Sequence, residues 1–255
     1  MLSHGRVRVN GEACRSAGRR VETGDTIEIG RKPVPVARAV DLEIVWEDRS
    51  LVIVHKPAGL LTVSTLHEHE RTVHSLLRAH LQARDPRQTA LVVHRLDKFV
   101  SGLLVFAKSE RAREELKELF ARHAIERRYW AVVEGKIEKD HDTIRSRLVE
   151  GQNLRVRSTR DRTKGKPAIT HYRVLRRFPN LTTLEVTLET GRKNQIRVHL
   201  AELNHPIAGD KSYGSRTNPL GRLALHAFCL GFSHPIQGTP LSFKTDPPPE
   251  FRPYL

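Results

Sequence analysis

Three stretches of this chain set polar side chains between apolar runs, as a scaffold does when it holds reactive groups on its connections. The first is residues 94–109, HRLDKFVSGLLVFAKS. Here Asp97 falls between the run Leu91-Val92-Val93 and the run Leu103-Leu104-Val105-Phe106. A carboxylate on a connection between two buried strands can do acid–base or nucleophilic work. It can equally serve as a turn or cap residue. The second stretch is residues 191–214, GRKNQIRVHLAELNHPIAGDKSYG. Ile196, Leu200 and Leu203 form a helical stripe, and Lys193 and Arg197, four apart, are expected on the opposite face with Gly191 as a flexible entry. That basic face is either a binding surface or a solvated one. The third stretch is residues 127–137, RRYWAVVEGKI, with Tyr129 opening a strand, a position that an aromatic also takes for cross-strand packing alone. His67 and His69 flank Glu68 in a polar loop, where solvent exposure is expected rather than a metal.

Other chemistries lack their residues. There is no GxxxxGK[ST] phosphate loop and no GxGxxG fingerprint, so ATP and NAD chemistry have no support. HExxH and GxSxG are absent as well. Asp97 has no acidic neighbour within ten positions, which argues against a metal-dependent nuclease or phosphotransferase. The two cysteines, Cys14 and Cys229, form no CxxC pair, so neither a disulfide scaffold nor a cysteine-rich zinc site is expected. No apolar run reaches the ~18 residues of a membrane span, and the first residues form no apolar signal segment. A reducing cytoplasm is the expected compartment, and no membrane contact is expected.

The elements that must position these groups are mostly short strands. Apolar runs at Leu51-Val54, Leu91-Val93, Leu103-Phe106, Tyr129-Val133 and Leu181-Leu188 read as strands. Helices are predicted around Val73, Leu76, Leu77 and Leu81, after Ser109 as N-cap, and through Ile196 to Leu203 before Pro206. Strands outnumber helices, so the class is α+β with a large mixed or antiparallel sheet. Residues 1–30 read as a small β appendage, with Val7 and Val9 alternating before the Asn10-Gly11 turn and Gly24-Asp25 leading into Thr26-Ile29. Residues 31–41 read as a linker, residues 42–255 as the main domain, and the TDPPPEF segment near the C-terminus as extended and exposed.

Charge points to the partner. The chain has 255 residues with 44 Lys+Arg against 29 Asp+Glu, a net +15 at pH 7. Solubility needs less, and a polyanion such as nucleic acid would use it. The excess is concentrated. Residues 151–177 hold nine basic side chains against Asp161 alone, and arginines predominate, including Arg155, Arg157 and Arg160. Arginine grips phosphate with a two-pronged donor, where lysine acts as a point charge.

Together the motifs resemble one family, the RluA-type RNA pseudouridine synthases. The match lies in His94-Arg95-Leu96-Asp97 with Ser101 to Lys108, in Arg128-Tyr129-Trp130-Ala131, and in Thr190 to His199. It continues through His205-Pro206-Ile207, Gly209-Asp210, Tyr213-Gly214 and Leu223 to Ala227, with Lys56-Pro57-Ala58-Gly59-Leu60 upstream. In order, the resemblance runs from about Leu42 to Phe251. Two positions depart from the pattern: Val100 stands where threonine is usual, and Asn194 where histidine is common. The N-terminal stretch resembles the second half of the alpha-L RNA-binding motif.

The resemblance implies the pseudouridine synthase fold and a reaction that isomerises uridine within RNA, ribosomal RNA or tRNA. Atoms are conserved, so no cofactor, metal or energy source is expected, and a monomer is the default. It implies Asp97 as the catalytic carboxylate, attacking ribose or uracil or taking a ribose proton. Arg197 would pair with Asp97, and loss of either was expected to strand a buried charge at a cost of roughly 3–5 kcal/mol. Tyr129 would stack on the uracil and offer its hydroxyl for proton transfer, and Leu225 would pack against the base. Arg95 would fill the gap left by a flipped nucleotide or hold its phosphate, and Arg155, Arg157 and Arg160 would supply backbone contacts. The alternative is a non-catalytic RNA-binding or ribosome-assembly protein on the same scaffold. A pure binder has no reason to retain Asp97, Tyr129 and Arg197 together.

Overall fold

The structure, a computed structural model, describes residues 7–10, 12–14, 18–30, 42–64, 71–151 and 155–255. The expected linker at 31–41 and the His67/His69 pair lie outside the described residues. The chain divides into two compact units, Met1–Asp41 and Leu42–Leu255.

In the first unit β1 (Val7–Val9) pairs antiparallel with β2 (Glu12–Cys14) on one edge and with β3 (Ile27–Ile29) on the other. Two strands were expected, and β2 is the addition. Asn10 turns the chain at φ 53°, a left-handed value that asparagine tolerates. Its side chain donates to the Asp25 carboxylate and accepts from the Thr26 N–H at 2.9 Å, so one residue ties the turn after β1 to the entry of β3.

The second unit holds eleven strands in one sheet. They are β4 (Glu43–Glu47), β5 (Leu51–Lys56), β6 (Leu91–Val92), β7 (Ser101–Ala107), β8 (Glu126–Glu134), β9 (His141–Glu150), β10 (Val156–Thr159), β11 (Lys166–Arg177), β12 (Leu181–Leu188), β13 (Leu225–Ser233) and β14 (Pro240–Lys244). The order is β10-β9-β11-β12-β8-β13-β7-β5-β4, with β14 on β13 and β6 on β7. All pairs are antiparallel except β13 with β7. The sheet is therefore mixed and mostly antiparallel, as expected. Much of the basic 151–177 stretch is strand, β10 and β11, which its arginine-rich pattern had hidden.

Among the described residues three α-helices flank the sheet: α1 (Val73–Arg84), α2 (Glu110–Ala121) and α3 (Gln195–Glu202). Ser109 caps α2 through the Ala112 N–H, and Thr72 forms a capping box with Ser75 on α1. Strand β7 is buried on both faces. Leu104 and Phe106 join the core under α1, while Leu103, Val105 and Ala107 join the core under α2. This explains its unbroken apolar run. The C-terminal segment departs from the extended, exposed reading. Residues Pro249–Tyr254 form a 3-10 helix, and Phe251 is fully buried in the first core. Three prolines favour extension only up to the point where an aromatic ring finds a cavity to fill.

The sheet's two halves meet where β7 crosses β13, and the contact is short: His226 opposite Ser101 and Ala227 opposite Gly102. Gly102 has φ 120°, and a Cβ there would stand 2.1 Å from the Ala227 carbonyl oxygen. Gly102→Ala is expected to cost about 3 kcal/mol or more through backbone strain and loss of this join. Urea unfolding of the two proteins measures it, and a loss under 1 kcal/mol would contradict the reading.

Candidate active site

Asp97 sits on the loop between β6 and β7, and both of its flanks are tied down. Thr62 Oγ1 donates to the Leu96 carbonyl at 2.7 Å and accepts from the Leu96 N–H at 3.2 Å. On the other side the Lys98 carbonyl accepts from the Gly59 N–H and from Lys56 Nζ, both at 2.9 Å. Leu96 and Val100 are buried, anchoring the loop from within. Lys56 is itself fully buried, and its ammonium also donates to the carbonyls of Pro57 and Leu60 at 2.9 and 2.7 Å. Burial, then the charge of Arg222, push its pKa down to about 7, while Asp97 opposes the shift. Three carbonyls thus meet the three protons of an ammonium that desolvation makes easy to lose. His94 accepts the Val105 N–H at 3.2 Å, and burial holds its pKa down at about 3, so the ring is neutral.

Arg197 lies in the first turn of α3. Its guanidinium is clamped by Asp210, Nε to Oδ2 at 2.7 Å and Nη2 to Oδ1 at 2.8 Å. Nη1 faces Asp97 Oδ2 at 3.4 Å and the Asn194 Oδ1 at 3.0 Å. One face of the guanidinium lies over the Tyr213 ring, 4.8 Å from its centroid. Burial alone would lower the Arg197 pKa, but the hydrogen bonds it donates to Asp210 and the charges of Asp210 and Asp97 outweigh it and raise it. The strong partner of Arg197 is therefore Asp210, which the sequence reading did not select, and Asp97 takes the weaker, longer contact. The expected stranding of a charge on loss of Asp97 is corrected accordingly. Its carboxylate is 23% exposed, and Arg197 keeps a second carboxylate.

The helix starts later than the spacing predicted. Asn194 precedes it at φ 54°, so Lys193 lies in the entering turn, pairs with Glu150 and shares no helical face with Arg197. Gln195 organises this turn. It accepts from Thr190 Oγ1 and the Arg192 N–H and donates to the Ile169 carbonyl and Thr170 Oγ1, all within 3.0 Å.

Asp97, Arg197, Tyr129, Arg95 and Leu225 all line one cavity of about 710 Å³. Tyr129, on β8, is 6% exposed, and burial raises the pKa of its hydroxyl, which therefore stays protonated at neutral pH. Leu225 opens β13 opposite Ala131 on the same strand as Tyr129. Arg95 is exposed at the rim. Among the described residues Asp97 is the only carboxylate in the lining, against Arg95, Arg127, Arg192, Lys193 and Arg197. Arg155, Arg157 and Arg160 are exposed and line no part of the cavity. Arg155 lies over the same Tyr213 ring that Arg197 contacts, 5.4 Å from its centroid. Among the described residues no group of His, Cys, Asp and Glu side chains has the arrangement to hold a metal ion.

Fold and cavity define a site suited to a polyanion, with one carboxylate at its centre. Residues 50–202 match the RNA pseudouridylate synthase family, and residues 1–27 match the S4 domain. The chain is 38% identical to the uncharacterized RNA pseudouridine synthase YlyB of Bacillus subtilis, over 97% of this chain and 84% of the relative. It is 39% identical to ribosomal large subunit pseudouridine synthase D of Nitrosomonas europaea, over 83% of this chain and 64% of that protein. With the synthase D of Escherichia coli it shares 35% identity over 95% and 79%. The solved structure of human RNA pseudouridylate synthase domain containing 4 shares the fold, with TM-score 0.69 at 23% identity over 82% of this chain and 90% of that one. The chain belongs to the RNA pseudouridylate synthase family.

The two carboxylates on Arg197 differ in what they do for stability. Asp210 is 2% exposed and doubly bonded, so Asp210→Asn is expected to destabilise by about 3–5 kcal/mol. Asp97→Asn is expected to cost less than about 1 kcal/mol. Parallel urea titrations test the order, and equal losses would show that Asp97 carries the clamp.

Proposed function

We propose that this chain isomerises uridine to pseudouridine in structured RNA, with Asp97 as the catalytic carboxylate. The names of its relatives favour large-subunit ribosomal RNA as the substrate. One observation carries the assignment of Asp97. Among the described residues it is the sole carboxylate in a cation-lined cavity, held on a loop pinned at both flanks and faced by an arginine that Asp210 fixes in place.

The bond from uracil N1 to ribose C1′ breaks, the base turns, and C5 bonds to C1′; the proton lost from C5 is balanced by one gained at N1. Whether the carboxylate attacks ribose, attacks uracil or takes a ribose proton, it must be ionised, and Arg197 Nη1 faces its Oδ2 at 3.4 Å. Tyr129 sits as a neutral phenol beside the base position and can stack on it and donate a proton. Leu225 supplies an apolar wall. A uridine stacked in a helix must be turned out to enter, at a cost of a few kcal/mol. Arg95, exposed at the cavity, would hold the vacated site or the flipped nucleotide.

Mapping pseudouridines in total RNA of cells with and without the gene tests the assignment. Wild type is expected to restore the missing position and Asp97→Asn to leave it as uridine. A position restored equally by both would remove Asp97 from the chemistry.

Arg157 on the edge strand β10, and Arg160 just beyond it, supply backbone contacts in this reading. Replacing both with glutamine is expected to lower the slope of log binding constant against log salt by about 1.5. Single-turnover chemistry at saturating RNA should stay unchanged. An unaltered slope would place the RNA elsewhere.

A further inference from the structure

We propose that Arg127 forms a phosphate-binding subsite within the cavity and holds the backbone phosphate of the nucleotide whose base enters beside Tyr129. The proposal rests on RNA being the substrate. Arg127 is 7% exposed, yet it lines the cavity. Its Nη2 donates to the carbonyls of Leu188 and Glu189 at 3.3 and 3.1 Å. Its Nε is buried with no acceptor, and among the described residues Nη1 makes no hydrogen bond and no carboxylate pairs with the guanidinium. A buried cation without a counter-charge is costly, and an orphaned N–H adds to the cost. Structural duty alone does not account for the guanidinium, because two carbonyls use only one of its three nitrogens. An anion entering the cavity would supply what is missing.

Placement agrees. Arg127 and Tyr129 are alternate residues on β8 and share its buried face, about 7 Å apart along the strand. A single nucleotide spans such a distance between its base and its phosphate. The Phe120 ring backs the guanidinium at 5.2 Å, leaving its edge for the ligand. Gly191 makes room for it. A Cβ at that position would stand 2.6 Å from Arg127 Nη1, so this glycine serves close approach and not the flexible helix entry expected of it. The sole carboxylate of the lining, Asp97, has its own arginine in Arg197.

The test uses the full chain and a labelled uridine pentanucleotide, with a neutral methylphosphonate placed at each linkage in turn. Wild type is expected to bind about tenfold more weakly when one particular linkage is neutral, the effect of losing a charge-assisted hydrogen bond. Arg127→Gln should bind the all-phosphate RNA about tenfold more weakly and lose its sensitivity at that linkage. Such coupling would not arise from a merely structural role. Gly191→Ala displaces Nη1 while keeping the charge and should reduce the same sensitivity, which covers the case in which the glutamine variant does not fold. If wild type binds RNA but no linkage stands out, or the variants keep the full sensitivity, the subsite is overturned and the RNA reading stands. If wild type binds no RNA, both fall.

Discussion

The two-point bond between Arg197 and Asp210 is the constraint on which the site depends. A guanidinium at the start of a helix is free to swing on four torsions. Asp210, nearly inaccessible to water, takes two of its nitrogens and leaves Nη1 aimed in one direction. Tyr213 closes one face and Asn194 takes part of the remaining edge. Asp97 then meets a cation whose position is already decided. The pairing costs Asp97 little freedom, so the carboxylate stays partly exposed to the cavity, where a substrate can reach it.

The carboxylate side is fixed by different means. Its loop carries no regular structure, so backbone groups there need other partners. Thr62 and the buried Lys56 provide them, from a segment more than thirty residues upstream. The result is a rigid loop without a helix or strand of its own. Strand β7 follows directly, and its glycine lets it cross β13 closely enough for the two halves of the sheet to share a core. The cavity forms beside this join, where β8, the Asp97 loop and the entry to α3 come together.

Charge in this molecule works at two ranges. Part of the basic stretch is neutralised locally, with Lys164 on Asp161, Arg173 on Glu185 and Arg177 on Asp140. Those ion pairs are exposed and contribute little to stability. Arg95, Arg127 and Arg192 at the cavity and Arg157 on β10 form no ion pair among the described residues and set a field for a polyanion.

Much of this was legible in the chain itself. Ser109 announced the start of α2, the apolar run through Phe106 announced a buried strand, and the motif around Asp97 announced the pocket. These are local signals, in which each residue's neighbours in sequence decide its surroundings. The registers of β9 and β11 were not legible, because polar and arginine-rich strands lack alternation. Nor was the burial of Phe251, which needs a core built elsewhere. Sequence alone supplied Asp97, Tyr129, Arg197, Arg95 and Leu225 as candidates, and these line one cavity. Only the tertiary structure decided who holds whom: Asp210 rather than Asp97 as the clamp on Arg197, Lys56 under the Lys98 carbonyl, and Arg127 left with no counter-charge. Each of these depends on atoms brought together from distant positions, and pair distances and desolvation exist only once the chain has folded.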